Sequence, residues 1–423
     1  MTTRSLRLLA LVCVAGSVLV IAQSDVPTAP VPDPLVMADG SRVKNASDWR
    51  TKRRPELLAL FTREMYGVAP PRSPQMKFVV FDKGTDALGG KAIRRQITVL
   101  LKGDPNGPKF DMLLYVPKKA TGRVPAILGI NFWGNHAITS DPGVRITTNH
   151  VESGKNSYAD LTCVKDGQAT EACRGVNAAQ WPIEAMMDKG YALATIYRGD
   201  IDPDTKDGFD KSLKAFYPEL QGRGDNFSTI GEWAWALSRC IDYLVTDRAI
   251  DSKRVAVFGW SRLGKAALWA AANDERFSAA ISDDSGAGGA KLFHRGIAEN
   301  ITRLNTVFPH WYDENFRKYN GKDTALPFDQ HEMMALIAPR AVYVASAQDD
   351  ANADPEGEFA GAKAAEPVFR LLGGKGTLPD KWPAVNQSVG DDLAYHVRTG
   401  GHDVKPFDWD QYFAFLDRHW NHR

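Results

Sequence analysis

Gly259-Trp260-Ser261-Arg262-Leu263-Gly264-Lys265 links an apolar run at 254–258 to a helical pattern at 263–272. A serine at a tight strand-to-helix turn projects its hydroxyl. The helix N-terminus behind it supplies backbone N–H groups for developing negative charge. That is the chemistry of acyl transfer. The spacing is Gly-x-Ser-x-x-Gly, so the second glycine falls one place later than in the common elbow. A bare Gly-x-Ser is frequent by chance. The strand–turn–helix context is what separates a nucleophile from an ordinary N-cap serine.

A nucleophilic serine needs a base, and folds that present it this way supply their parts in the order serine, acid, histidine. Of nine histidines, His294, His310, His331, His396, His402, His419 and His422 follow the serine. Only His402 lies in a Gly-Gly-His-Asp turn (400–403), after a strand-like run at 393–397 and before a closing amphipathic helix. The last loop of such a fold would carry a base there. His396 alternates within the strand and reads as packed; His419 and His422 read as surface residues. Two positions suit the acid that orients the base. Asp284 follows the strand after the nucleophile helix, and Asp349 or Asp350 follows the next core strand at 341–345.

These residues need a rigid frame. Strand patterns at 76–81, 93–101 and 112–116 come first, after a helix at 55–65 that Pro55 would start. Short apolar runs at 126–132, 191–197, 255–258, 279–281 and 341–345 then alternate with helical patterns near 178–187, 230–245, 263–272, 359–372 and 409–420. This alternation predicts an α/β fold, a mostly parallel sheet covered on both faces, with its site at the strand C-termini. No internal repeat or linker interrupts 45–423. The chain is 43% hydrophobic and 24% charged, too apolar for disorder, and 36 Gly and 24 Pro exclude a long coiled coil.

The formal charge of +1 gives no single-sign field to hold nucleic acid. Arg4 and Arg7 precede the apolar run 8–22, which ends in small residues. Residues 1–22 therefore read as a signal peptide, 23–44 as a Pro-rich extension and 45–423 as the catalytic domain. The expectation is an exported protein, periplasmic or secreted, monomeric, with no stable membrane insertion after signal cleavage. An oxidising compartment would favour a Cys163–Cys173 bridge, while Cys240 reads as a buried small hydrophobe. Without Cys-x-x-Cys or His-Glu-x-x-His, neither a metal nor another cofactor is expected. Asn45, Asn226, Asn300 and Asn386 head Asn-x-Ser/Thr sequons, read here as chance.

Taken together, 259–265, then Asp283-Asp284-Ser285-Gly286-Ala287-Gly288-Gly289, then 400–403 resemble the glucuronoyl esterases of carbohydrate esterase family 15. Asn131-Phe132-Trp133-Gly134-Asn135-His136, Tyr197-Arg198-Gly199-Asp200 through Asp202-Pro203-Asp204, and Gly231-Glu232-Trp233-Ala234-Trp235 look like family features too. The likeness runs from about Trp49 to Trp420. It implies a single-domain α/β-hydrolase fold and a serine esterase acting on esters of 4-O-methyl-glucuronic acid. Such esters join glucuronoxylan to alcohols of lignin, so the implied partner is a glucuronoxylan or lignin–carbohydrate ester. It further implies Ser261 as nucleophile, His402 as base and Arg262 as oxyanion donor, with Lys265 and Glu299 at sugar-contacting positions.

Three departures accompany the resemblance. Trp260 stands where many fungal relatives have a disulfide cysteine. Asn352 falls near the family's sugar-stacking tryptophan, and the loss of an aromatic platform removes a contact worth ~1 kcal/mol. Asp284 stands where most members carry glutamate, so Asp284 is expected to contribute to orienting His402 while Asp350 shares or backs up the role. Two other readings stay open: another carbohydrate esterase, such as a xylan acetyl esterase, and a catalytically weak carbohydrate-binding relative.

Overall fold

The computed structural model describes residues 30–421; the expected signal peptide lies outside them. Its frame is one ten-stranded sheet built from β1 (Lys77–Ala87), β2 (Ala92–Leu100), β3 (Lys109–Pro117), β4 (Val124–Asn131), β5 (Ala192–Tyr197), β6 (Ile250–Trp260), β7 (Ala279–Asp283), β8 (Ala341–Ala347), β9 (Gln387–Gly390) and β10 (Leu393–Arg398). The spatial order is β1-β2-β3-β5-β4-β6-β7-β8-β10-β9. β1, β2, β3 and β5 run antiparallel in succession; β5, β4, β6, β7, β8 and β10 are parallel; β9 closes the edge antiparallel. This is the expected sequence of antiparallel strands followed by a parallel centre. β9 had no apolar run to announce it.

Alternating side chains fill two cores, one on each face. Val257, Leu128, Ile196 and Val344 point into one; Phe258, Ile127, Leu193 and Tyr343 point into the other. The covering helices are α1 (Arg54–Phe61), α2 (Ile183–Asp188), α3 (Thr229–Leu244), α4 (Arg262–Asn273), α5 (Ile301–Val307), α6 (Gln330–Ala335), α7 (Pro355–Leu371) and α8 (Pro406–Asn421). α2 and α8 cover the second face and the rest the first. The helix expected over 178–187 begins only at Ile183, because Trp181-Pro182 interrupts it after one 3₁₀ turn, Ala178–Gln180. A proline removes the N–H that would continue the ladder.

α8 is pinned beneath the nucleophile strand. Phe258 of β6 meets Trp409 with ring centroids 4.7 Å apart and Trp181 edge-on at 5.6 Å, and Tyr412 donates to Asp283 at 2.6 Å. Aromatic pairs of this kind contribute roughly 0.5–1.5 kcal/mol beyond their burial. His419, expected at the surface, is buried on the last turn of α8. Its ring bonds the Phe415 carbonyl at 2.8 Å and Asp392 at 3.0 Å. The helix packs along more of its circumference than its polar residues suggest.

Residues 30–44 lie against the domain: Arg53 donates to the Pro34 carbonyl at 3.1 Å, and Val43 is buried. All four sequon asparagines accept backbone N–H groups, from Asp48, Glu314, Arg303 and Thr399 respectively. Each therefore has a conformational task without a glycan. Between β4 and α2 runs a long loop whose irregular path is closed by the Cys163–Cys173 disulfide, with Cα atoms 5.4 Å apart; Cys240 is buried and free. A bridge of this span limits the unfolded loop more than the folded one. The Cys163→Ala/Cys173→Ala variant is expected to lose about 2–3 kcal/mol of stability, read from urea titrations with and without reductant. Reductant should shift the parent midpoint and leave the variant midpoint where it is.

Candidate active site

The parallel strands place their C-terminal ends in one row, and the serine turn is its centre. Ser261 follows β6 directly and has φ +58°, the left-handed region that side-chain-bearing residues avoid. Its N–H donates to the Asp283 carbonyl at 2.8 Å, and the Gly264 N–H returns to the Ser261 carbonyl at 2.8 Å. A Cβ on Gly259 would stand 2.0 Å from the Leu263 carbonyl oxygen. One on Gly264 would meet the Gly259 carbonyl, Ser282 Oγ and Ser285 Cβ at 3.0 Å each. The later second glycine thus marks where α4 crosses against β6 and the 282–285 turn. Ser261 stays half-buried at the start of α4.

β7 and β8 supply the carboxylates. Beyond the strands, Gln348 N–H donates to the Arg398 carbonyl at 2.8 Å and Asp349 N–H to the Gly400 carbonyl at 3.0 Å. These bonds zip the loop after β8 to the loop after β10 and lay Asp350 beside His402. Asp350 Oδ2 is 2.6 Å from His402 Nδ1. Burial pushes the Asp350 carboxyl up, but the hydrogen bond and charge of His402 and the N–H groups of Ala353 and Asn352 outweigh it and hold it low. His402 packs on Trp260, with ring centroids 4.9 Å apart, and edge-on to Tyr158 at 5.8 Å. With Nδ1 engaged, Nε2 is the nitrogen left for a serine.

Asp284 was expected to contribute to orienting His402. Its Oδ2 stands 4.0 Å from Nδ1, outside hydrogen-bond reach. Its Oδ1 accepts the Ala347 N–H at 2.6 Å, and Oδ2 is 3.4 Å from both Arg398 Nη2 and Asp403 N. The short side chain is spent on the loop ends instead of the imidazole. Burial raises its pKa well above the usual range, with Asp283, Glu358 and Asp350 adding to the rise. Asp284, Asp350 and His402 also have ligating atoms within 4.8 Å of one another, the spacing of a metal set, but Asp350 occupies the nitrogen that would bind one.

Arg262, at the first turn of α4, lies with its guanidinium 4.7 Å over the Trp311 ring and 5.2 Å from Phe308, and its Nη1 is 2.6 Å from Asp204. Lys265, one turn on, is buried. Its Nζ donates to the Ser285 and Ala287 carbonyls at 2.7 and 2.6 Å and reaches Glu299 at 3.3 Å. Burial lowers its pKa against the pull of Glu299. Asn352 is exposed on the loop that carries Asp350. The structure therefore gathers Ser261, Arg262, Lys265, Glu299, Asp284, Asp350, Asn352 and His402 on loops and helix starts at or beyond the same strand ends.

A serine raised on a strand–helix turn, with an imidazole and carboxylate arriving from later strands, defines a serine hydrolase of α/β-hydrolase type. The family model described as glucuronyl esterase, fungi, matches residues 162–373. Carbohydrate esterase MZ0003, from an unknown prokaryotic organism, is 44% identical over 401 residues, covering 94% of this chain and 91% of the relative. A solved glucuronoyl esterase from Solibacter usitatus superposes with TM-score 0.86 at 40% identity, covering 93% of this chain and 98% of that one. A promiscuous CE15 esterase from a marine bacterial metagenome does so with TM-score 0.86 at 44% identity, with the same two coverages. The chain belongs to the glucuronoyl esterases of carbohydrate esterase family 15.

Two supports of the site left no trace in local sequence. Arg398 is buried under His402; it pairs with Asp408 at 2.8 Å and holds the Thr399 and Gly401 carbonyls at 3.1 and 3.0 Å. Glu358 of α7 accepts from Ser285 Oγ at 3.0 Å, Gly286 N at 2.8 Å and Ser346 Oγ at 2.7 Å, tying the 285–289 turn to β8. Burial pushes the Glu358 carboxyl up to about 7, against the lowering pull of those donors. A carboxyl whose folded value is raised favours folding while protonated and loses that contribution as pH climbs through about 7. Glu358→Gln is accordingly expected to flatten part of the fall in melting temperature between pH 5 and 8, with near-parent stability at pH 5. Equal slopes in the two proteins would contradict the assignment.

Proposed function

We propose that this esterase hydrolyses esters of 4-O-methyl-glucuronic acid, with Ser261, His402 and Asp350 as its acyl-transfer residues and 45–423 as the catalytic unit. The observation that carries the reading is the 2.6 Å His402–Asp350 bond, together with a serine held at φ +58° at the start of α4. Ser261 Oγ attacks the ester carbonyl as His402 Nε2 takes its proton, and the α4 N-terminus and Arg262 face the oxygen that becomes negative. The carbonyl re-forms, the C–O bond to the alcohol breaks, and His402 returns the proton to the departing oxygen. Water, deprotonated by the same imidazole, then releases the uronic acid and restores Ser261.

Lys265, Glu299 and Arg262 give the site charges that suit a carboxylated, hydroxyl-bearing sugar. Lys265 also braces two backbone carbonyls, so its loss would disturb the turn as well as the sugar. Glu299 is the cleaner probe. Glu299→Gln is expected to raise KM for benzyl glucuronate several-fold while changing p-nitrophenyl acetate hydrolysis little. Equal losses on both would contradict a sugar contact.

A second reading rests on Asn352, which leaves the loop beside Asp350 exposed and without an aromatic ring. A weaker grip on the sugar would widen the range of esters accepted, and a relative 44% identical to this chain is described as promiscuous. The deciding experiment compares benzyl glucuronate, methyl glucuronate and acetylated xylan, with Ser261→Ala as control. Preference for the glucuronates, abolished in Ser261→Ala, supports the first reading. Comparable turnover of acetylated xylan supports the second, and full activity in Ser261→Ala contradicts both.

The bridged Cys163–Cys173 pair supports export to an oxidising compartment. No described helix is long and apolar enough to cross a membrane. A periplasmic or secreted monomer is the form we propose.

The acid is tested by amides of the same size. Asp350→Asn is expected to lower kcat by about 10³–10⁴, since an amide orients the wrong tautomer. Asp284→Asn should cost far less and act mainly on stability. The reverse order, read from kcat and melting temperature, would return the role to Asp284.

A further inference from the structure

The nucleophile turn fixes the backbone of Arg262 but leaves a long side chain to be placed by something else. That something is a buried carboxylate 58 residues earlier in the chain. Asp204 has a fully buried side chain that receives four donors. Arg262 Nη1 and Arg198 Nη1 both stand 2.6 Å from Oδ2, while Trp311 Nε1 and His310 Nε2 reach Oδ1 at 2.7 and 3.0 Å. The residue has φ +61°, a strained backbone for a side-chain-bearing residue, and its N–H is held by Asp202 at 2.7 Å. Burial alone would raise its pKa, but Arg198 and Arg262 outweigh burial and keep it far below the usual carboxylate range.

Aromatic side chains border the guanidinium too. Phe308 and Trp311 stack with centroids 3.8 Å apart and planes 3° from parallel, and the Arg262 guanidinium lies beside that pair, 4.7 Å from the Trp311 centroid and 5.2 Å from that of Phe308. Arg198 cannot take over: it is buried and shared between Asp204 and Glu152. Arg262 Nε is buried and has no hydrogen-bond partner among the described residues. The side chain as a whole keeps 27% of its surface exposed, so the part open to an incoming group is the rest of the guanidinium.

We infer that Asp204 is the positioning residue of the oxyanion site. It holds Arg262 by Nη1 beside the Phe308–Trp311 pair and so leaves the exposed part of the guanidinium for the oxygen that turns negative when Ser261 attacks. This rests on the proposed esterase reading of Ser261 and Arg262. The donor is aimed before the charge forms and need not reorganise during the step.

The test removes the guanidinium and gives it back. Arg262→Ala is expected to lose 10²–10³-fold in kcat, the scale of one oxyanion donor. The slot it leaves keeps the Asp204 carboxylate and the stacked rings. Millimolar guanidinium chloride should therefore restore at least tenfold in a saturable way. In Arg262→Ala/Asp204→Asn the same salt should restore nothing, and Asp204→Asn alone should cut kcat 10–100-fold with KM nearly unchanged. Rescue that is equal with and without Asp204, or parent kcat in Asp204→Asn, overturns the inference while leaving the esterase reading standing. Parent kcat in Arg262→Ala removes the oxyanion reading of the arginine and this inference with it. Should Asp204→Asn fold poorly, Trp311→Phe keeps the stack and deletes one bond to Asp204. It should lower kcat several-fold at constant KM, and an unchanged kcat there counts against the inference.

Discussion

A 2.0 Å gap between the Leu263 carbonyl and the place where a Cβ on residue 259 would sit is the constraint on which the site depends. It forces glycine there, lets α4 begin immediately after β6, and leaves Ser261 at φ +58° at the end of that strand. Once that turn is set, sheet register does the rest. Trp260 pairs with Asp283, and Asp283 with Ala345. The residues that follow those strands must therefore lie side by side. The two hydrogen bonds from Gln348 and Asp349 to the β10 loop then carry the imidazole to its acid.

Beneath this row sits a charged layer. Arg398 faces Asp408 and Asp284, and these with Asp283 raise the arginine's pKa against the lowering effect of burial. Glu358 and Asp283 add further buried carboxyls, one held by hydroxyls and an amide, the other by Tyr412. Buried ions of this kind are poor sources of net stability, because desolvation offsets most of their attraction. Here they fix loops that have no strand or helix of their own. The arrangement explains why Asp284 does not reach hydrogen-bond distance of the imidazole. Its oxygens are committed to the Ala347 N–H and to Arg398.

Much of this was legible in the sequence, and the boundary is physical. The succession of strands and helices along the chain, the serine turn and the Gly-Gly-His loop rest on local patterns: alternation, a crowded turn, a glycine pair before a base. The choice of acid does not. Asp284 and Asp350 follow equivalent strands, and only packing puts one at 2.6 Å and the other at 4.0 Å from Nδ1. Asp204 was visible as part of a family-like segment. Its task depends on partners 58 and 106 positions away, which no periodicity encodes. His419 failed for the opposite reason, since a polar residue on an amphipathic helix reads as solvent-facing until a neighbour such as Asp392 is seen to bond it.

If Ser261 is the residue that carries the acyl group, the acyl-enzyme itself will report it. Benzyl glucuronate mixed with the enzyme and quenched in acid within milliseconds, then analysed by intact-mass and peptide-mapping mass spectrometry, reports where the uronoyl group resides. One added glucuronoyl unit is expected on the peptide that contains Ser261, appearing with the first turnover and decaying as substrate is exhausted. Turnover with no adduct at any quench time, or an adduct on a different residue, would contradict it.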